Sequence, residues 1–193
     1  IPSIPGTSQT NTITFESQSG DTADVVLHYG SQTSANNYII KLNSAKYISI
    51  KNMTLKTTHV NLGYIVLLDG TSEHITIDGN LMLIPSQYNS QSAGVYTNSG
   101  SITSDVHILN NMVNGGYYGM YLRGVSSSNT SGYYNVQNNS ILGFGTYGVY
   151  LYYQDSVDFS GNHLVSSQTS SYTYGVYCYY TKFNTMNANQ INL

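Results

Sequence analysis

A single cysteine, Cys178, excludes an intrachain disulfide, so covalent cross-links do not hold this fold. Tryptophan is absent, and proline is limited to Pro2, Pro5 and Pro85. Charge is scarce: 8% of the 193 residues are charged, against roughly 25% in an average soluble chain. The six Lys and Arg residues form no basic patch, so nucleic acid is not an expected partner. No apolar run approaches the ~20 residues of a membrane-spanning helix, and no membrane span is expected. Low charge alone would allow disorder. Against that, 40% of the residues are hydrophobic and they alternate regularly, which argues for a packed core.

What the sequence has instead is a repeat. Tyr118-Gly119-Met120-Tyr121-Leu122, Tyr147-Gly148-Val149-Tyr150-Leu151 and Tyr174-Gly175-Val176-Tyr177-Cys178 recur at intervals of 29 and 27 residues. Gly94-Val95-Tyr96 is a shorter copy. Each copy leads into a second apolar segment that is followed by an asparagine, as in Ile75-Thr76-Ile77 then Asn80, or Val157-Asp158-Phe159 then Asn162. A period in the twenties marks a stacked solenoid. Aligned on their inward residues, the first strands read Ile40, Val66, Val95, Met120, Val149, Val176. The second strands begin at Ile48, Ile75, Val106, Tyr134, Val157 and Asn184, and a third short element follows at Leu55, Met82, Val113, Ile141, Leu164 and Ile191. Within each strand the period is two, so a further inward column runs Leu42, Leu68, Thr97, Leu122, Leu151, Cys178. In this reading Cys178 is a small core residue. Residues 1–36 form an entry segment and a first irregular coil, with strands at Thr12–Glu16 and Asp24–His28, and residues 37–193 form the repeats.

Asn80, Asn111, Asn139, Asn162 and Asn189 make a structural ladder in five consecutive coils, each able to bond its own corner and the asparagine one coil away. The coil pattern and this ladder resemble the right-handed parallel β-helix proteins of the pectin-lyase-like kind, over about residues 38–193. The resemblance implies an all-β, right-handed parallel β-helix solenoid of six to seven coils with three short strands per coil. It leaves function open, because the family includes lyases, hydrolases, epimerases, adhesins and phage spikes. The opening stretches Asn11-Thr12-Ile13-Thr14-Phe15-Glu16-Ser17 and Tyr47-Ile48-Ser49-Ile50-Lys51-Asn52 resemble large bacterial surface proteins that carry such helices. That resemblance implies an extracellular or bacterial cell-surface location. The coils at either end carry no evident cap, so flanking coils of the same chain or end-to-end self-association are expected to cover them.

Function turns on the outward residues. The first-strand column reads Lys41, Leu67, Tyr96, Tyr121, Tyr150, Tyr177, and the next reads Asn43, Asp69, Asn98, Arg123, Tyr152, Tyr179. Tyrosine supplies 20 of the 193 residues, and much of it gathers here. A polysaccharide or cell-surface glycan laid along Tyr96, Tyr121, Arg123, Tyr150, Tyr152, Tyr177 and Tyr179 is the candidate ligand. Sugar rings offer apolar C–H faces to aromatic rings, and phenol hydroxyls bond sugar hydroxyls. The competing reading is that stacked tyrosines simply stabilise the strands. No catalytic residue, metal-ligand set or cofactor site is assigned. No carboxylate pair is readable at the 5–9.5 Å separation of a glycosidase, and the family's Gly-His-Gly, Arg-Ile-Lys and Asp-Pro-His signatures are missing. His74, His107 and His163 fall in different columns and read as surface or turn residues. The expected role is a structural or adhesive module. The alternatives are a lyase or hydrolase whose catalytic coils lie outside this stretch, and a filament or surface-layer component.

Overall fold

The computed structural model describes residues 1–85, 87–168 and 172–193. Among them there is no helix, and every strand pairing between named strands is parallel. The entry segment supplies β1 (Ile13–Glu16) and β2 (Val26–Tyr29). Coil one follows with β3 (Tyr38–Asn43), β4 (Lys46–Lys51) and β5 (Thr54–Thr57), and coil two with β6 (Gly63–Asp69), β7 (Glu73–Asp78) and β8 (Leu81–Ile84). Coil three is β9 (Ser92–Thr97), β10 (Ser104–Leu109) and β11 (Met112–Gly115). Coil four is β12 (Tyr118–Arg123), β13 (Tyr134–Gln137) and β14 (Ser140–Leu142). In coils five and six the first two strands run together, as β15 (Tyr147–Ser160) before β16 (His163–Val165), and β17 (Tyr174–Asn187) before β18 (Gln190–Asn192). The result is a parallel β-solenoid of about six turns with three faces. β1 and β2 stack on β4 and β5, so the entry segment adds part of a further coil.

Register follows the expected columns. Ile40, Val66, Val95, Met120, Val149 and Val176 pair in sequence on the first face. Leu55, Met82, Val113, Ile141, Leu164 and Ile191 do so on the third. From coil one to coil five these side chains meet in one continuous core, with Ile40 and Val176 packed against it and Ile191 exposed. Like residues stack on like because each coil repeats the one before at the inter-strand spacing of about 4.8 Å. One alignment needs correcting. Val157 pairs with Phe183 and Asp158 with Thr185, so a bulge leaves Asn184 out of register. The physical reason is burial: Phe183 packs against the core while Asn184 is exposed. Cys178 keeps its place beside Leu151 but is exposed, because among the described residues no further coil lies over it.

The asparagines hold the corner between the second and third faces. Asn80 Nδ2 donates to Asn111 Oδ1 (3.1 Å), Asn111 to Asn139 (3.1 Å), Asn139 to Asn162 (3.0 Å) and Asn162 to Asn189 (3.0 Å). Each backbone N–H from Asn80 to Asn162 donates to the next oxygen as well. Asn80, Asn111, Asn139 and Asn162 are almost fully buried, so each bond replaces an otherwise costly unsatisfied amide. In coil one Met53 stands in the place of the asparagine and donates its N–H to Asn80 Oδ1. The residue before each of these positions is left-handed: Asn52, Gly79, Asn110, Asn138, Gly161 and Ala188 have φ between 51° and 67°. Gly and Asn accept that conformation most readily, which is why they recur there.

Candidate functional site

The first face carries the tyrosines in two adjoining columns. In the first, Tyr96, Tyr121, Tyr150 and Tyr177 stack at centroid steps of 4.8, 4.9 and 4.8 Å with interplanar angles of 15–29°. The second was not foreseen. Tyr118, Tyr147 and Tyr174 stack at 5.3 and 5.2 Å with angles of 13° and 10°. Between columns the rings meet edge to face, as in Tyr147 against Tyr150 at 5.0 Å and 80°. Tyr64 continues the array into coil two. Ala93 leaves the adjoining place empty, and the Tyr64 ring stacks diagonally on Tyr96 at 4.0 Å.

The glycine of the repeat explains why the second column was missed. Strict alternation would put Tyr118 and Tyr121, three residues apart, on opposite faces. Instead Gly119 and Met120 are both buried, and both tyrosines face outward. The same double step occurs at Gly148-Val149. The glycine is required for space. A Cβ on Gly119 would stand on the Ile141 side chain and 2.5 Å from the Gly148 carbonyl oxygen. On Gly148 it would lie 2.5 Å from the Gly175 carbonyl and 2.8 Å from Leu164.

A third group lies beside these columns. Tyr152 stacks on Tyr179 at 5.1 Å, and the Arg123 guanidinium sits 5.5 Å from the Tyr152 centroid, within cation–π reach. All seven tyrosine-face residues expected from the sequence therefore share one surface. Tyr96, Tyr121, Arg123, Tyr150, Tyr152 and Tyr177 are half-buried, and Tyr179 is exposed. Burial pushes the Tyr150 hydroxyl up to about 12, with neighbouring tyrosines adding to it. Burial likewise raises Tyr118, Tyr121 and Tyr147. These hydroxyls stay protonated, and able to donate, at any ordinary pH.

The ring faces are a different matter. Tyr121 and Tyr150 each have a stacked neighbour on both sides. What these interior rings offer a ligand is their rims and hydroxyls.

On the second face the structure joins residues that the sequence kept apart. Asp105 accepts from both imidazoles, with His74 Nδ1 at 2.5 Å from Oδ2 and His107 Nε2 at 3.0 Å from Oδ1. His74 and His107 do occupy different columns, but Asp105 stands between them. Left-handed corners at Tyr47, His74 and Asp105 (φ 57°, 55° and 50°) turn these side chains to one side, and the Tyr47 ring stacks on His74 at 4.4 Å. Tyr133 continues the polar row by donating to Asp158 at 2.7 Å, and Thr185 donates to the same carboxylate. The hydrogen bonds from Tyr133 and Thr185 hold the Asp158 carboxyl below its usual range. Among the described residues no three His, Cys, Asp or Glu side chains converge as metal ligands.

The chain matches no family model, no curated protein and no solved structure.

Proposed function

We propose that this chain is a rigid, non-catalytic solenoid module of a secreted or cell-surface protein, with a structural or adhesive role. It presents the tyrosine face of coils three to six to a polysaccharide. The observation that carries this reading is the pair of tyrosine columns. A core needs inward residues, and these columns point outward, in register, over four consecutive coils in the first and three in the second. Exposed aromatic surface of that extent is a feature of binding sites. The low charge and the abundance of Ser, Thr, Asn and Tyr support a place outside the cell.

The test is to incubate the purified chain with a panel of neutral and acidic polysaccharides, following both retention of the protein and polymer length. Retention with intact polymer is expected. Absence of both retention and shortening would leave a purely structural piece. A second reading has one observation in its favour: Asp105 set between two imidazoles is an arrangement suited to proton transfer. Shortening of any polymer in the panel would favour that reading over a binding module.

A further inference from the structure

The proposed polysaccharide reading leaves open which polymer binds, and through which atoms. We infer that the tyrosine face takes an uncharged polysaccharide strand running along the solenoid axis, gripped by tyrosine rims and hydroxyls and not stacked on ring faces. The inference rests on that reading and narrows it.

Three observations carry it. The first is direction. Tyr96, Tyr121, Tyr150 and Tyr177 succeed one another from coil to coil at 4.8–4.9 Å, so equivalent hydroxyl groups recur along the axis and not along a strand. A ligand that uses several of them must be extended in the same direction. The second is the occupation of the ring faces. Tyr121 and Tyr150 are stacked on both sides, and Tyr147 has Tyr118 and Tyr174 as parallel neighbours. A sugar ring that displaced a neighbour would exchange one stacking contact for another and break an inter-coil contact to do so. The rims and hydroxyls are reached at no such cost. The third is charge. Arg123 is the one charged residue in segments 92–97, 118–123, 147–153 and 174–181, and its guanidinium already lies against Tyr152. A polyanion would find one cation along four coils, on a protein whose formal net charge is −3. A neutral polymer gives up no ionic solvation and can match each phenol with a hydroxyl or ring oxygen.

The experiment measures binding of a soluble neutral β-1,4-glucan and of polygalacturonate, at low and moderate salt, to the wild-type chain. It repeats both with Tyr150→Phe/Tyr177→Phe and with Tyr150→Ala/Tyr177→Ala, and checks each variant for a cooperative unfolding transition. The phenylalanine pair keeps the stacked rings and removes only the hydroxyls, so it folds even where the alanine pair fails. The expected result has four parts. The glucan binds and polygalacturonate does not, the affinity is unchanged by salt, and the phenylalanine pair binds roughly tenfold more weakly through the loss of two hydroxyl contacts. Short oligosaccharides bind more weakly than long ones, because they span fewer coils. Polygalacturonate binding as tightly as the glucan, or more so, overturns this inference while leaving polysaccharide binding in place. A phenylalanine pair that binds like the wild type overturns the role of the hydroxyls. Failure of both polymers to bind overturns the broader reading along with it.

Discussion

Coils one and two differ from coils three to six in what ties neighbouring turns together outside the core. Between coils one and two three ion pairs link outward residues, one on the first face and two on the second. Lys41 meets Asp69 at 2.7 Å, Lys46 meets Glu73, and Lys51 meets Asp78 at 3.8 Å. Coil one supplies the cations and coil two the anions. From coil three onward the first face has stacked tyrosines in their place. The step behind the first strand changes as well. Ile39 and Ile65 occupy it in coils one and two, and Gly94, Gly119, Gly148 and Gly175 occupy it thereafter. One backbone plan thus accepts two solutions. A large inward side chain goes with a charged outer face, and glycine goes with outward tyrosines, one in coil three and two in each of coils four to six. Tyr64 marks the transition, sitting behind Ile65 yet already stacked on Tyr96.

The sharpest way to break the comparison is to exchange volume at that inward step. Ile65 is fully buried. Ile65→Ala is expected to lose about 2–5 kcal/mol of stability through the cavity it leaves. Gly119→Ala, at the equivalent place two coils on, adds volume and is expected to cost about 1–3 kcal/mol through overpacking against Ile141 and the Gly148 carbonyl. Urea unfolding midpoints at constant m-value measure both. If Gly119→Ala were neutral, the glycine of the repeat would be serving some end other than close packing.

A pH series separates the two regions by sign. Tyr150 has a hydroxyl pKa raised from 10.0 to about 12, and the ionised form is disfavoured in the fold. Its contribution is complete below pH 10 and is lost as the pH rises through about 12. The carboxyl of Asp69 moves the other way. Burial opposes its ionisation, but the hydrogen bonds from Lys41 and Asn98 outweigh burial and lower its pKa. Its contribution is present above the ordinary carboxylate pKa and is lost as the pH falls below it. Tyr150→Phe should therefore flatten the alkaline limb of the unfolding midpoint against pH, and Asp69→Asn the acid limb. Each substitution leaves the other limb as it was. A wild-type midpoint that is flat above pH 10 would sink the alkaline half of the argument.

The sequence made the repeat plain because period-two alternation and a coil length in the twenties are properties of order along the chain. The columns from Ile40 to Val176 and from Leu55 to Ile191 follow directly from it. The two features it concealed both depend on local departures from that order. Tyr118 and Tyr121 share a face only because Gly119 and Met120 turn inward together. Asp105 reaches His74 and His107 only because three corner residues adopt left-handed backbone, and none of the three is glycine or asparagine. The misplacement of Asn184 has the same origin, since a bulge shifts the count by one. The seven expected tyrosine-face residues were legible as two adjoining columns. That their ring faces are already engaged was not, because ring orientation depends on the neighbouring coil.

The smallest expected effect concerns the ion pairs of coils one and two. The three lysines and their partners are partly exposed, so each pair is expected to contribute little to stability. Salt screens such charges over about 10 Å at 0.1 M, whereas stacked tyrosines carry no net charge to screen. Raising the salt concentration should thus weaken the junction of coils one and two slightly and leave the stacked first faces of coils three to five unaffected, while the exposed Lys182–Asp155 pair gives the junction of coils five and six a small response of its own. Amide hydrogen exchange read strand by strand would show it, as faster exchange in β3 and β6 with no change in β9 and β12. Lys46→Met should remove part of the salt response with little change in overall stability. A uniform response along all six coils would mean that the solenoid opens as a single unit. The two kinds of inter-coil contact would then differ in chemistry without dividing the molecule energetically.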